Sequence, residues 1–301
     1  MRNKISSLKS RLSGGVSPAM VTPLEPDSYC VDTTAVPLLV DFLIGKGAKG
    51  LFVGGTTGEG IMLAARERKK LHEATMPAVY GRVPVILHVG AQRSDTAVDL
   101  ARHAAGLGVD AIAAVTPYFY GLPDDGLAAY YQAIVDAVPD TPLFGYDIPQ
   151  MAVNGISPDL AFRLCDLMPS IAGLKTSNPS IQAVRRILDA VPEDRIVLVG
   201  NESAALGALS LGADGLISGL SSAVPEPFVA LTQAFSSGEG DEALRQQRLI
   251  NQLLAMIPAG ARLAAIKSIL SARGVPVGTP VPTLPRTEAE VWPAMRVILE
   301  Q

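Results

Sequence analysis

The chain has 301 residues, of which 48% are hydrophobic and 18% charged, and its formal net charge is −4. This size and composition are typical of a soluble globular protein with a large core. Outside the extreme N-terminus the sequence has no basic block and no basic face interleaved with aromatic residues. We therefore expect no nucleic-acid partner.

Residues 1–14 lack the apolar stretch of a signal peptide, and no apolar run in the chain reaches about 18 residues. We interpret this segment as an N-terminal arm, either a mobile extension or a short packing helix. The two cysteines, Cys30 and Cys165, are far apart and have no histidines at metal-ligand spacing. We predict no disulfide framework, no metal site, no membrane partner and a cytoplasmic location.

A repeated unit organises the first three quarters of the chain. Residues 47–53, 108–115 and 212–217 share one pattern, in which a glycine-containing turn follows a helix-like segment and opens an apolar run. Each of these is an αβ unit.

Short apolar runs suited to strands buried on both faces occur eight times. They lie near residues 18–21, 50–53, 84–88, 111–115, 142–145, 171–174, 195–199 and 214–217. Helical patterns lie near residues 33–46, 65–79, 94–106, 124–137, 158–167, 178–191, 202–211 and 224–236. Eight βα units in about 220 residues predict an α/β fold, a closed (β/α)8 TIM barrel over residues 15–238.

Strand patterns cease beyond residue 238. Helical patterns near 240–257, 259–273 and 287–300 follow, with a turn-rich segment at 274–280. We predict a C-terminal helical extension over residues 239–301 and regard it as a candidate surface for association.

In such a barrel the active site lies at the C-terminal ends of the strands. The second strand runs into a glycine-rich segment, residues 54–60, that contains Thr56 and Thr57. Open backbone N–H groups beside two hydroxyls form a cradle for a carboxylate or phosphate, although the same pattern also describes a tight loop.

Tyr146 ends the fifth apolar run and Lys175 ends the sixth. A lysine desolvated at a strand end has a lowered pKa and supplies the neutral amine that attacks a ketone. Taken singly, each could be an ordinary packing or surface residue. Amine, phenol and cradle together are the parts needed to activate a 2-oxo acid.

Other polar residues are assigned structural roles. We expect His88 to be a hydrogen-bonded barrel residue, and His72 and His103 to lie on helix surfaces. The seven lysines other than Lys175, including Lys267, are expected to be solvated. Arg262 and Lys267 are candidates for pairing with acidic groups at a subunit contact.

Five motifs carry a resemblance to a known family. They are residues 55–59, 146–149, 173–175, 200–201 and 212–218. In this order, over nearly the whole chain, they resemble the dihydrodipicolinate synthase / N-acetylneuraminate lyase family. The resemblance implies a (β/α)8 barrel, Schiff-base chemistry on a small 2-oxo acid such as pyruvate, and no metal or organic cofactor. It also implies a homo-oligomer, a dimer or tetramer.

The resemblance also implies residue roles. Lys175 is expected to form the imine, and Tyr146 to act as general acid and base, oriented by Thr56. Thr56 and Thr57 are expected to bind the pyruvate carboxylate, with Gly55 and Ile217 as further substrate-binding residues.

Two departures limit the likeness. Synthases carry an arginine two residues after the proline of their Tyr-x-x-Pro motif, whereas Gln150 and Met151 follow Pro149 here. The second substrate's carboxylate loses a bidentate partner, so we do not predict a true dihydrodipicolinate synthase. Phe119 stands where a relay tyrosine is usual, and its side chain cannot carry a proton. Either Tyr120 or water substitutes for the tyrosine, or the second substrate is protonated differently, or activity is weak.

We predict a class I lyase that uses pyruvate as donor or product. One alternative is a dehydratase of a deoxy-keto-sugar acid on the same lysine, and another is a non-catalytic protein that binds 2-oxo acids. Asn201, Glu202 and Ser203 either bind substrate hydroxyls or cap the helix that follows them.

Overall fold

Eight parallel strands form a closed barrel in the structure, a computed structural model that describes residues 1–300. Each strand pairs with its neighbour in chain order, and the last pairs with the first. The strands are β1 Val16–Met20, β2 Leu51–Val53, β3 Val85–His88, β4 Ala111–Val115, β5 Leu143–Asp147, β6 Ile171–Thr176, β7 Ile196–Val199 and β8 Gly215–Ser218. The predicted (β/α)8 barrel with C-terminal helices is confirmed.

Within residues 1–300 the chain forms thirteen α-helices, the first before β1 and the others after it. They are α1 Arg2–Leu12, α2 Val36–Gly45, α3 Ala65–Val79, α4 Ser94–Gly106, α5 Asp124–Ala137, α6 Pro149–Ala152, α7 Pro158–Leu167, α8 Ile181–Ala190, α9 Ala205–Ser210, α10 Glu226–Ser236, α11 Gly240–Ala255, α12 Arg262–Ala272 and α13 Trp292–Leu299. The helix predicted at 178–191 begins only at Ile181, because the Ser180 side chain caps it by accepting from Ala183 N–H. No helix within residues 1–300 is long and apolar enough to cross a membrane.

The N-terminal arm is a packing helix. Ile5, Leu8 and Leu12 of α1 are buried and belong to the same apolar cluster as Phe52 and Phe144 inside the barrel. Helix α1 therefore closes the N-terminal end of the barrel, opposite the end where the site is predicted.

The C-terminal extension folds back onto the barrel. Helix α11 packs against α10, and Val275, Val277 and Val281 join the core between the strands and the helices. Leu24 N–H donates to Val277 O at 3.1 Å. This return brings the extension to the end of the barrel where the strands finish.

Two predictions about exposure are wrong. Lys267 is 1% exposed rather than solvated, because it pairs with a buried glutamate of the same chain. His72 is fully buried rather than on a helix surface, since α3 presents that side to the core.

Candidate active site

A β-bulge aims Lys175 into the barrel. The pairing of β5 with β6 skips Ala172, so that Phe144 lies opposite Gly173. In a regular strand Ala172 and Lys175 would lie on opposite faces, but one extra residue places both toward the interior. Gly173 has a φ of +144°, and a Cβ there would lie 1.8 Å from Ile196 O. The glycine of the Gly-Leu-Lys motif is therefore required by the bulge.

The Lys175 amine lies in a buried pocket between aromatic rings. Its Nζ is 3.5 Å from the centroid of the Tyr146 ring and 4.7 Å from that of Phe52. Burial lowers the pKa of Lys175 well below its usual value, and Asp147 and Glu202 offset the shift only in part. Burial therefore favours the neutral amine, which is the form that acts as a nucleophile.

Tyr146 is hydrogen-bonded to the loop that follows β2. Its hydroxyl lies 2.9 Å from Thr56 Oγ1. Burial raises the pKa of Tyr146 to about 12, although hydrogen bonds to Thr56 and Ser177 oppose the shift. At neutral pH the phenol is therefore protonated and can donate a proton.

Residues 54–60, which we call the carboxylate cradle after their predicted role, form a tight loop with fixed geometry. Gly54 has a φ of +71° and Glu59 a φ of +56°. A Cβ at Gly60 would lie 1.8 Å from Gly54 O, so the loop closes on itself. The backbone N–H groups of Thr56 and Thr57 make no hydrogen bond within residues 1–300. They are available to bind an anion.

His88 supports the cradle from behind. Its Nδ1–H donates to Gly54 O at 2.9 Å, and its Nε2 accepts from Val115 N–H at 3.2 Å. Burial lowers the pKa of His88 well below its usual value, and the nearby Arg68 adds to that shift. The predicted hydrogen-bonded barrel role of this histidine is confirmed.

A cavity of about 400 Å³ opens at this end of the barrel. Its lining includes the predicted site residues Thr56, Thr57, Tyr146, Lys175 and Ile217. Gln150, Met151, Ser177, Glu202, Arg262 and Leu263 also line it. The predicted residue Gly55 does not, because it packs against Phe52, whose Cε1 would lie 2.3 Å from an added Cβ. Among residues 1–300 no group of three or more His, Cys, Asp or Glu is placed to hold a metal ion.

An ion pair forms the wall of the cavity near β7 and β8. Glu202 Oε1 accepts from Ser218 Oγ at 2.7 Å and from Leu220 N–H at 2.8 Å. Glu202 Oε2 accepts from Arg262 Nη2 at 2.6 Å. The suggested capping role is therefore wrong for Glu202. Its carboxylate accepts hydrogen bonds from β8 and from the turn after β8, and not from its own helix.

Arg262 was not predicted as a cavity residue. It pairs with Glu202 of the same chain, and its suggested pairing at a subunit contact stays a prediction. The sequence around residue 262 gives no local signal for the strand end that it faces.

Phe119 lies outside the cavity of its own chain. Its side chain is 77% exposed and its φ is +81°. The Phe119 and Tyr120 rings pack edge to face with centroids 5.0 Å apart. Asn154 Nδ2 holds the loop by donating to Pro117 O and Tyr120 O. Neither aromatic residue supplies a group to the cavity described above.

Known proteins match this chain along most of its length. The sequence model of the dihydrodipicolinate synthetase family matches residues 12–301. A 4-hydroxy-tetrahydrodipicolinate synthase of Listeria welshimeri is 33% identical over 288 residues, which cover 95% of this chain and 98% of that protein. An N-acetylneuraminate lyase of Mediterraneibacter gnavus is 31% identical over 283 residues, which cover 92% of this chain and 89% of that protein.

A solved structure is also similar to this chain, in both sequence and fold. The catalytic-lysine mutant of the Ruminococcus gnavus sialic acid aldolase superposes with a TM-score of 0.91 at 30% identity, and the match covers 97% of each chain. The barrel thus brings a buried lysine, a phenol and the carboxylate cradle to one cavity. Synthases and lyases match the chain along most of its length, and the chain belongs to the dihydrodipicolinate synthetase family.

Proposed function

We propose that this protein is a class I lyase that forms an imine between Lys175 and a 2-oxo acid, with pyruvate as donor or product. One observation carries the proposal: the Lys175 amine is buried 3.5 Å from the ring of Tyr146 and has a lowered pKa. A neutral amine attacks a ketone, whereas an ammonium ion does not. The similar sialic acid aldolase also has a catalytic lysine.

The reaction follows from the cavity's own groups. The Lys175 Nζ lone pair adds to the keto carbon, and protonation of the resulting hydroxyl expels water and leaves a C=N bond. The substrate carboxylate lies against the free N–H groups and hydroxyls of Thr56 and Thr57. No metal or organic cofactor enters this scheme.

The protonated imine then accepts electrons. Tyr146 protonates the departing hydroxyl in the dehydration step and becomes a phenolate. In the cleavage direction this phenolate takes the proton of the C4 hydroxyl, the bond between C3 and C4 breaks, an aldehyde leaves, and the electron pair forms an enamine. Protonation of C3 and addition of water release pyruvate and the free amine. Condensation is the same sequence reversed, and Tyr146 carries the protons with Thr56 as its partner.

The acceptor end of the cavity distinguishes this chain from the synthases. Gln150 and Met151 follow Pro149, where the resemblance leads us to expect an arginine. We therefore propose a lyase or aldolase other than a true dihydrodipicolinate synthase. Product analysis separates it from a dehydratase, because a lyase releases pyruvate and a dehydratase does not.

The imine is tested by trapping. The protein is incubated with pyruvate and sodium borohydride, and its intact mass and modified peptide are measured. We expect a reduced pyruvyl adduct on Lys175, none in Lys175→Ala, and none on Lys267, the other buried lysine. Folded wild-type protein without an adduct, beside a competent control enzyme, would overturn the mechanism and favour a protein that only binds 2-oxo acids.

Association is proposed as well. The exposed Phe119 and Tyr120 side chains form an aromatic tip that supports a contact with a second copy. We propose a cytoplasmic homo-oligomer, a dimer or tetramer. Light scattering coupled to size-exclusion chromatography tests the oligomeric state, and a monomer at micromolar concentration would contradict it.

A further inference from the structure

Arg262 stands at a helix start that faces the cavity. It is the first residue of α12, and both Arg262 and Leu263 line the cavity. The preceding residue, Ala261, provides no side-chain cap, and the first turn has no acidic residue. Because the start of a helix carries a partial positive charge, a cation there does not stabilise the helix. The arginine therefore calls for an explanation other than helix stability.

The ion pair with Glu202 leaves most of the Arg262 guanidinium free. Glu202 already accepts three hydrogen bonds, from Ser218, from Leu220 and from Arg262. A guanidinium has five N–H donors, and only the Nη2 group of Arg262 is engaged within residues 1–300. The Arg262 side chain is 39% exposed, against 12% for Glu202. The pair thus offers the cavity donors rather than acceptors.

The guanidinium lies close to the carboxylate cradle. A Cβ on Gly219 would lie 2.8 Å from Thr57 Oγ1 and 3.3 Å from Arg262 Nη2. The two side chains therefore approach each other across Gly219, which leaves room for both. Among the residues that line the cavity, only Lys175 and Arg262 are basic. Since burial favours the neutral form of Lys175, Arg262 supplies the permanent positive charge.

We infer that Arg262 binds a second carboxylate, at the end of the substrate remote from Lys175. The inference rests on the proposed function and assigns a substrate class, namely 2-oxo acids that carry an acidic group at the far end of the chain. Guanidinium groups bind carboxylates with paired, charge-assisted hydrogen bonds. The carboxylate next to the keto group already has the free N–H groups of Thr56 and Thr57.

The test compares acids that differ only at the far end. 2-Oxoglutarate is compared with 2-oxopentanoate, and 2-oxoadipate with 2-oxohexanoate. The two chain lengths test two distances between the keto group and the far carboxylate. For each acid, the concentration that gives half-maximal borohydride trapping on Lys175 is measured, with pyruvate as a further arm. We expect wild-type protein to trap at least one dicarboxylic acid at a concentration about 10-fold or more below that of its partner.

Variants assign this preference to the guanidinium. Arg262→Gln should bring the ratio of the two concentrations to about one, and Arg262→Lys, which keeps the charge, should retain part of it. Arg245→Gln is the matched control, because Arg245 is an exposed arginine of α11 that pairs with Glu242 and does not line the cavity. It should keep the wild-type ratio.

Three outcomes would overturn the inference. The first is equal trapping of both members of each pair by the wild-type protein. The second is a preference that Arg262→Gln leaves intact. The third is an equal loss for all acids, pyruvate included, which would assign the guanidinium to the carboxylate beside the keto group. Absence of any trapping with pyruvate would refute the proposed function itself, and this inference with it, so the two failures are distinguishable.

Discussion

Glu59 Oε1 lies 2.7 Å from Lys267 Nζ, and both side chains are fully buried. Glu59 Oε2 accepts from Val281 N–H at 2.7 Å, and Lys267 Nζ donates to Thr279 O at 2.9 Å. Burial lowers the pKa of Lys267, while the neighbouring Glu59 opposes the shift. The pair ties the carboxylate cradle to the C-terminal extension, so the extension supports the site.

Loss of this lysine should destabilise the protein. In Lys267→Met, Glu59 becomes a buried carboxylate without a charged partner, and we expect the free energy of unfolding to fall by about 3–5 kcal/mol. The double variant Glu59→Gln, Lys267→Met should recover part of the loss. Urea denaturation measures each value. Lys69→Met, at a lysine partly open to solvent, should change little, and a Lys267→Met variant as stable as wild type would contradict the role of the pair.

The pH dependence of imine formation should reveal the lowered pKa of Lys175. The amine is neutral above its folded-state pKa, which burial places well below the usual value of 10.5. The rate of trapping pyruvate with cyanoborohydride should therefore rise with pH and level off well below pH 10.5. Since burial raises the pKa of Tyr146 to about 12, no second inflection from the phenol is expected below that range. A midpoint near 10.5 would show that the amine is not desolvated.

The Tyr146 hydroxyl should set the rate of proton transfer. Exchange of the pyruvate methyl protons with D₂O, followed by NMR, reports enamine formation without an acceptor aldehyde. Tyr146→Phe should slow this exchange by about 10²–10⁴-fold, and Thr56→Val by less, because the phenol remains. Tyr131→Phe removes another buried hydroxyl, which donates to Ala114 O at 3.0 Å, and should not slow exchange. Wild-type exchange rates in Tyr146→Phe would remove the phenol from the mechanism.

Gly173→Ala should damage both the fold and the nucleophile. An alanine Cβ would lie 1.8 Å from Ile196 O at a φ of +144°, so the bulge must shift, at a cost of at least about 1–3 kcal/mol. Because the bulge aims Lys175, pyruvate trapping should also slow. Gly207→Ala is the control: nothing lies within 4 Å of its added Cβ in α9, and it should stabilise by about 0.5–1 kcal/mol. Trapping at the wild-type rate in Gly173→Ala would show that the bulge does not position the amine.

Local patterns determined much of this protein. The eight βα units were predictable because apolar runs and helical periodicity depend on neighbouring residues, and parallel strands bring their C-terminal ends to one rim. That topology was enough to predict that Thr56, Tyr146 and Lys175 would share a cavity, as they do. The motifs also indicated the family.

Only the tertiary structure decided which way these residues face and what they touch. The strand pattern did not show the bulge that turns Lys175 inward, since it appears only when β5 and β6 pair. Nor did it show that Lys267 is buried against Glu59, or that Arg262 reaches the cavity beside Glu202. These partners lie far apart along the chain. A helix sequence specifies which of its faces is apolar, but not which distant segment will cover a charge, because that choice is made by packing the whole chain.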